Sequence, residues 1–201
     1  YKRKDLGCID NSNINTIEDI IKAVSQKCFM PFTFGGGIRT IEDARKRFEL
    51  GADKITINNQ AIEDKKFITE LATEFGSQAI VVSIDAKRIN PNELKVFKSY
   101  GQIMTELIPG EWALECQERG AGEILINSID RDGTANGYDE ELISTVVNST
   151  SIPVIGCGGV GTYSDFSIAI KDCGASAAAA GNIFHFKELS YPIAKSQLKK
   201  K

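Results

Sequence analysis

The sequence predicts an α/β fold, a (β/α)8 (TIM) barrel built from two half-barrel repeats. Short apolar runs bounded by turn residues alternate with amphipathic, helix-length segments along most of the 201 residues, as in a parallel sheet covered by helices. A set of residues also recurs at an offset of 120 to 123 positions. Two copies of a unit this long indicate two half-barrels in one closed barrel, since two separate sheets would need a linker.

Each element follows from local pattern. Buried strands are predicted where short apolar or small-residue runs lie between turn residues, at 31–34, 54–58, 79–85, 123–130, 153–157 and 177–181. Helices are predicted from periodic apolar positions at 16–27, 41–50, 64–75, 110–119, 139–149 and 163–172. The irregular stretch 87–109 is predicted to be a loop with room for a hairpin at Tyr100-Gly101.

The repeat is carried by turn and cap residues. Ile9-Asp10, Pro31, Gly36-Gly37, Thr40, Asp43 and Gly51-Ala52 recur as Ile129-Asp130, Pro153, Gly158-Gly159, Thr162, Asp165 and Gly174-Ala175. By the same offset, the partner of the strand that ends at Asp85 would lie before Tyr1. We therefore expect residues 1–201 to form a single barrel domain that is incomplete at its N-terminus, with residues 4–13 as the remainder of its second strand.

Composition excludes several classes of protein. The chain is 42% hydrophobic and 25% charged, with 24 basic and 27 acidic residues, which argues against disorder and against a nucleic-acid or lipid surface. No signal peptide or membrane-length apolar run is present in these residues. Five widely spaced cysteines without a C-x-x-C pair argue against disulfides and zinc. We expect a cytoplasmic protein without a metal or cofactor.

The carboxyl ends of barrel strands carry the chemistry in this architecture. Glycine clusters follow two repeat-related strands, at Gly35-Gly36-Gly37 and Gly158-Gly159. Glycine turns leave backbone N–H groups open to an anion, so the matched pair predicts two phosphate sites, although glycines that merely permit tight turns are the alternative.

Asp85 ends an apolar strand and is placed for acid/base chemistry. A salt bridge to Lys87 or Arg88, or a helix cap, is an equal alternative on pattern alone. Lys54 and Glu123 begin strands and are expected to pair at the opposite, N-terminal end. The only histidine, His185, lies beyond the last strand, which argues against a Cys/His nucleophile at Cys157.

Motifs along the chain resemble one family closely. They are FTFGGGI at 32–38, GADK at 51–54, GSQ at 76–78, SIDAKR at 83–88, RGAGEIL at 119–125, SIDRDGT at 128–134 and IFHF at 183–186. Together they resemble the cyclase subunit of imidazole glycerol phosphate synthase (HisF type). The resemblance implies a lyase of histidine biosynthesis that forms a heterodimer with a glutaminase. The glutaminase would release ammonia, and the barrel would use that ammonia to make imidazole glycerol phosphate from a phosphorylated nucleotide.

The same resemblance assigns roles residue by residue. Asp85 matches the second of two catalytic aspartates, and the first has no counterpart in this sequence. One phosphate site matches Gly37, Asn58, Asn59, Asp132 and Gly133. The other matches Cys157, Gly158, Gly159, Gly181 and Asn182. Lys54 and Glu123 match a charged ammonia gate, and Asp53 matches a residue that contacts the partner.

Three positions depart from the family pattern, which has Thr at Asn59 and Ser at Cys157 and Asn182. Such departures resemble a divergent branch associated with surface-sugar gene clusters. Two alternatives to the cyclase therefore stay open. One is a barrel that delivers ammonia for acetamidino-sugar synthesis, and the other is a scaffold without catalysis.

Overall fold

The computed structural model describes residues 16–27, 30–184 and 190–199. Six strands form one parallel array in the order β1-β2-β3-β6-β7-β8, with helices between them. This alternation of parallel strands and helices agrees with the (β/α)8-barrel class expected from the sequence. The strands are β1 (Thr33–Gly35), β2 (Lys54–Ile57), β3 (Ile80–Asn90), β4 (Glu93–Lys98), β5 (Ile103–Met104), β6 (Glu123–Ser128), β7 (Val154–Cys157) and β8 (Ala177–Ala178).

The helices follow the predicted ones with few exceptions. They are α1 (Ile17–Lys27), α2 (Ile41–Glu49), α3 (Asn59–Glu63), α4 (Lys66–Phe75), α5 (Pro109–Glu118), α6 (Glu140–Ser149), α7 (Asp165–Ser167) and α8 (Ser190–Lys199). A π-helical turn, Ile168–Asp172, continues α7, and 3₁₀ turns lie at Ser77–Ala79 and Asn182–Phe184. None of the described helices is long and apolar enough to cross a membrane.

The sheet has one face against the helices and one inner face. Along β2 and β6, side chains alternate between fully buried and half-buried. The buried set packs against the helices and includes Ile55, Ile57, Ile124 and Ile126. Because alternate residues of a strand point to opposite faces, the inner face receives the half-buried residues that alternate with these isoleucines.

The prediction for β3 was wrong at its end. This strand does not stop at Asp85 but runs on to Asn90, because residues beyond the parallel sheet pair antiparallel with β4, with Asp85 opposite Phe97. Parallel pairing of β3 with β6 ends at Ala86 and Ser128. The hairpin foreseen near Tyr100 is confirmed separately: it joins β4 and β5, which pair antiparallel on either side of the turn, with Lys98 opposite Ile103.

Other element boundaries also differ from the prediction. The strand predicted at 31–34 begins at Thr33, and the last strand is only two residues long. The helix predicted at 64–75 begins at Lys66, and the short α3 before it had no periodic signal. Helix α8 was not predicted. The proposed strand remnant at 4–13, together with Cys8, Cys28 and His185, lies outside the described residues.

The internal repeat is confirmed by matching caps. Thr40 begins α2 with a capping box, in which Oδ2 of Asp43 accepts from the backbone N–H groups of Arg39 and Thr40 at 3.0 Å each. In the second half, Oδ2 of Asp165 accepts from the N–H groups of Gly161 and Thr162 at 2.9 Å each. The two turns after β1 and β7 are thus stabilised by the same local contacts.

We predict that Asp43→Ala lowers the free energy of unfolding at neutral pH by about 1 kcal/mol, because two backbone donors lose their acceptor. The Arg39 backbone hydrogen bond, with those from Thr40, holds the pKa of Asp43 below its ordinary value of 3.8. Its stabilisation is therefore present above that pH and is lost as the pH falls through the lower folded-state value. Urea unfolding at neutral pH and below pH 3.8 measures the difference.

Glu42→Ala is the matched control, since Glu42 lies in the same turn but makes an exposed ion pair with Arg45, and such pairs contribute little. An equal loss from both variants would contradict the capping role.

Candidate active site

Asp85 lies on the inner face, at the level where the parallel sheet ends. Nδ2 of Asn58, just after β2, donates to its Oδ2 at 2.9 Å, and Nδ2 of Asn127 on β6 donates to its Oδ1 at 3.1 Å. Among the described residues its side chain makes no salt bridge with Lys87 or Arg88; Arg88 pairs with Asp139 and Glu141 instead. The carboxylate is thus held by two neutral amides rather than neutralised by a cation.

The two neighbouring asparagines predicted to bind phosphate have other contacts here. The amide of Asn58 faces Asp85, as above. Oδ1 of Asn59 accepts from the backbone N–H of Ser99 at 2.8 Å, and Nζ of Lys98 lies 3.2 Å from Oε1 of Glu63 in α3. Asn59 therefore fastens the tip of the β4–β5 hairpin to the turn after β2.

A pocket of about 210 Å³ lies between the turns that follow β6, β7 and β8. It is lined by Asp132, Gly133, Ala135, Cys157, Gly158, Gly159, Val160, Ala180, Gly181 and Asn182. All five residues assigned to the second phosphate site are in this set, so the structure brings that predicted site together.

The family resemblance groups Asp132 and Gly133 with Gly37 in one phosphate site, a grouping that stays a prediction. In the structure they line the pocket with Gly159 and Gly181. The reason is that the loop after β6 folds toward β7, where the N–H of Gly137 donates to the carbonyl of Gly159 at 2.8 Å. Gly37 lies on the turn after β1, with φ of +70° and open space around it.

Backbone groups dominate the pocket. None of its lining residues is Lys or Arg, and the N–H groups of Gly159, Gly181 and Asn182 donate to no acceptor in the described part of the chain. Unpaired N–H groups on turns can bind anions by partial charge alone. The pocket can therefore hold a phosphate without a basic side chain.

The glycines of this pocket are not equivalent. Gly159 has φ of +103°, and a Cβ there would collide with the carbonyl of Gly137 and lie 2.8 Å from Cβ of Arg131. At Gly181 no heavy atom lies within 4 Å of a Cβ position. Substitution of Gly159 would thus disturb the fold, whereas substitution of Gly181 changes the pocket alone.

Cys157 is half-buried between the pocket and Asp85. Burial raises the pKa of its thiol, and the negative charge of Asp132 raises it further, with a smaller opposing effect from the N–H of Gly158. The sulfur is consequently a neutral thiol near pH 7, a weak hydrogen-bond donor rather than a nucleophile.

The charged pair predicted at the opposite end is present. Nζ of Lys54 at the start of β2 contacts Oε1 of Glu123 at the start of β6, across β3, and both side chains are half-buried. Asp53, beside them, accepts from the backbone N–H of Phe32 at 2.7 Å. Asn58 lies four positions after Lys54, about 13 Å along the strand at about 3.3 Å per residue, so the pair and Asp85 mark the two ends of the inner face.

Asn127 was missed by the sequence analysis. The signal that could have found it is alternation along β6, where Glu123, Leu125 and Asn127 share the inner face. The sequence pattern predicts a buried strand at 123–130, and Asn127 in that strand is assigned no role. In the described residues no group of three or more His, Cys, Asp or Glu side chains is arranged to hold a metal.

Comparison with known proteins decides the family. Residues 5–190 match the family described as "Histidine biosynthesis protein". The chain is 48% identical over 185 residues to the imidazole glycerol phosphate synthase subunit HisF of Hydrogenobaculum sp. (strain Y04AAS1), covering 92% of this chain and 73% of that protein. The chain belongs to the HisF family.

Other HisF relatives agree. Identity is 43% over 180 residues to the subunit of Alkaliphilus metalliredigens (strain QYMF), covering 90% of this chain and 71% of the relative. It is 42% over 186 residues to that of Dictyoglomus thermophilum (strain ATCC 35947 / DSM 3960 / H-6-12), covering 92% and 73%. HisF membership confirms the resemblance seen in the sequence motifs, and the relatives' names make each of them one subunit of an enzyme.

We predict that Gly181→Val weakens binding of a bis-phosphorylated substrate analogue about tenfold or more, since the valine would occupy the space in front of unpaired N–H groups whose bonds to an anion are each worth about 1.5–3 kcal/mol. Stability should change little because the position is open. Calorimetric titration gives the affinity. Ser176→Val, an exposed change just before β8, is the control, and unchanged affinity in folded Gly181→Val would refute the anion site.

Proposed function

We propose that this chain is the cyclase subunit of imidazole glycerol phosphate synthase in histidine biosynthesis, a lyase that receives ammonia from a glutaminase partner. The observation that carries the proposal is identity of 42–48% to HisF subunits over at least 90% of the chain. The location of Asp85 on the inner face supports it. No similar observation favours the sugar-amidination or scaffold alternatives.

We place binding and conversion of the substrate at the end of the inner face that carries Asp85. Asp85 acts as a general acid/base on the bound nucleotide, where its carboxylate is held ready by two amides. The pocket that includes Gly159, Gly181 and Asn182 binds one phosphate of the substrate through backbone N–H groups. Gly37, on the repeat-related turn, contributes to the other phosphate site.

The Lys54–Glu123 pair serves as the point where ammonia enters. A half-buried ion pair contributes little net stability because desolvation offsets the Coulomb attraction, so its place between inner-face strands favours a role beyond packing. Asp53 lies at the same end and accompanies it as part of the surface for the glutaminase. Ammonia entering there would travel along the inner face toward Asp85.

Asp85→Asn should lower kcat roughly 10²- to 10⁴-fold, because it removes the titratable group that transfers the proton. The fold should tolerate the change, since one neighbouring asparagine can rotate its amide and accept from the new Nδ2. The measurement is turnover of the full-length protein with ammonium salt as nitrogen source. Asp172→Asn, at an exposed residue, controls for loss of charge, and wild-type turnover by Asp85→Asn would exclude the acid/base role.

Lys54→Ala should selectively impair glutamine-dependent turnover in the complex with the glutaminase. Activity with added ammonium salt should change much less, because dissolved ammonia can enter at the substrate end. The ratio of the two rates is the measured quantity, and Lys66→Ala, an exposed lysine of α4, should leave it unchanged. Equal losses in both assays would show that Lys54 is only structural.

A further inference from the structure

A second asparagine, to which the sequence motifs assign no role, contacts the carboxylate of Asp85. Asn127 is the inner-face residue of β6 that lies directly opposite Asp85 in the parallel pairing of β3 and β6. We infer that Asn127 is a positioning residue, which fixes the orientation of the Asp85 carboxylate for proton transfer. The inference rests on the proposed cyclase function and adds a residue to it.

The two oxygens of Asp85 are held from opposite sides. Asn58 donates to Oδ2 and Asn127 donates to Oδ1, at 2.9 and 3.1 Å. A carboxylate held at one oxygen can still turn about its terminal bond, whereas one held at both oxygens by donors on separate strands has a defined plane. Asn127 therefore fixes the plane of the carboxylate, which Asn58 alone does not.

The orientation of both amides points to the same conclusion. Oδ1 of Asn58 and Oδ1 of Asn127 are buried and have no hydrogen-bond partner among the described residues. Leaving an acceptor buried and unpaired is unfavourable. Each amide nevertheless turns its N–H₂ group toward Asp85, because an amide oxygen in that position could not donate to the carboxylate oxygen. Donation to Asp85 thus decides the orientation of these side chains.

Asn127 is itself held in place by its neighbours. A Cβ at Gly158 would lie 2.9 Å from Oδ1 of Asn127 and 2.7 Å from the carbonyl of Ser128. The space beside the Asn127 amide is therefore available only because residue 158 is glycine. On the same side of β6, Asn127 is in register with Cys157 of β7. The amide is packed between the phosphate pocket and Asp85, which suits a group that must set another group's position to a fraction of an ångström.

Isosteric variants separate donation from shape. Asn127→Leu removes the donor and keeps the approximate volume, and Asn127→Asp keeps the shape but places a carboxylate against Asp85. If Asn127 positions Asp85, kcat with ammonium salt should fall about 10- to 100-fold in Asn127→Leu and further in Asn127→Asp, with KM for the nucleotide changed much less. If Asn127 only fills space, Asn127→Asp should be the milder change, and that order would overturn the inference.

A double-mutant cycle tests whether the effect passes through Asp85. In the Asp85→Asn background, Asn127→Leu should lower kcat by less than about twofold, because the group that it positions is already gone. A full and independent loss there would overturn the inference. Asn148→Leu, at an exposed residue of α6, is the control, and melting temperatures exclude unfolding as the cause.

A measurement without turnover separates this inference from the proposed function. In ¹⁵N–¹H spectra of the folded protein, the side-chain amide pair of Asn127, assigned by its absence in Asn127→Leu, should shift in Asp85→Ala and stay in place in Asp172→Asn. If the signals of the Asn127 amide pair do not shift in Asp85→Ala, the inference is overturned. If the wild-type protein lacked cyclase turnover, the proposed function would fail. The spectrum would still show whether Asn127 contacts Asp85.

Discussion

The parallel register of β2, β3, β6 and β7 is the constraint on which the site depends. Side chains in a strand alternate between faces, so a residue reaches the inner face only if its register is right. The pairing of Asp85 with Asn127, and of Asn127 with Cys157, aligns these residues in one row across three strands. A slip by one residue in β6 would replace Asn127 with a buried isoleucine or serine and would leave the carboxylate with one donor.

The apolar side of the same strands maintains this register. Isoleucines of β2 and β6 that face the helices are fully buried, and burial of each such side chain contributes about 1.5–3 kcal/mol. That stabilisation offsets unfavourable features of the inner face, including the half-buried ion pair of Lys54 and Glu123 and the unpaired amide oxygens of Asn58 and Asn127. The helix-facing residues thus stabilise the sheet, and the inner-face residues provide the site.

The sequence predicted the elements and the architecture well, because strand alternation, helix periodicity and the long repeat are local or periodic signals. The matched contacts of Asp43 and Asp165 confirm the repeat at the level of single hydrogen bonds. Predictions about contacts between elements were weaker. The sequence did not place Asp132 beside Gly159, because the path of the loop after β6 depends on a hydrogen bond from the N–H of Gly137 to the carbonyl of Gly159. The contact of Asn59 with Ser99 depends on how the tip of the β4–β5 hairpin packs against the start of α3, which no local pattern reveals.

The continuation of β3 beyond Asp85 has a mechanical consequence. In most barrels of this kind a residue at the mouth belongs to a turn and shares the thermal motion of that turn. Asp85 instead lies inside an eleven-residue strand, with β6 on one side and β4 on the other. The carboxylate is therefore attached to a strand that is paired on both sides. Under the proposed function, any adjustment between acid and reactant comes from the ligand or from the turns around the pocket, because the proton donor itself is fixed in the sheet.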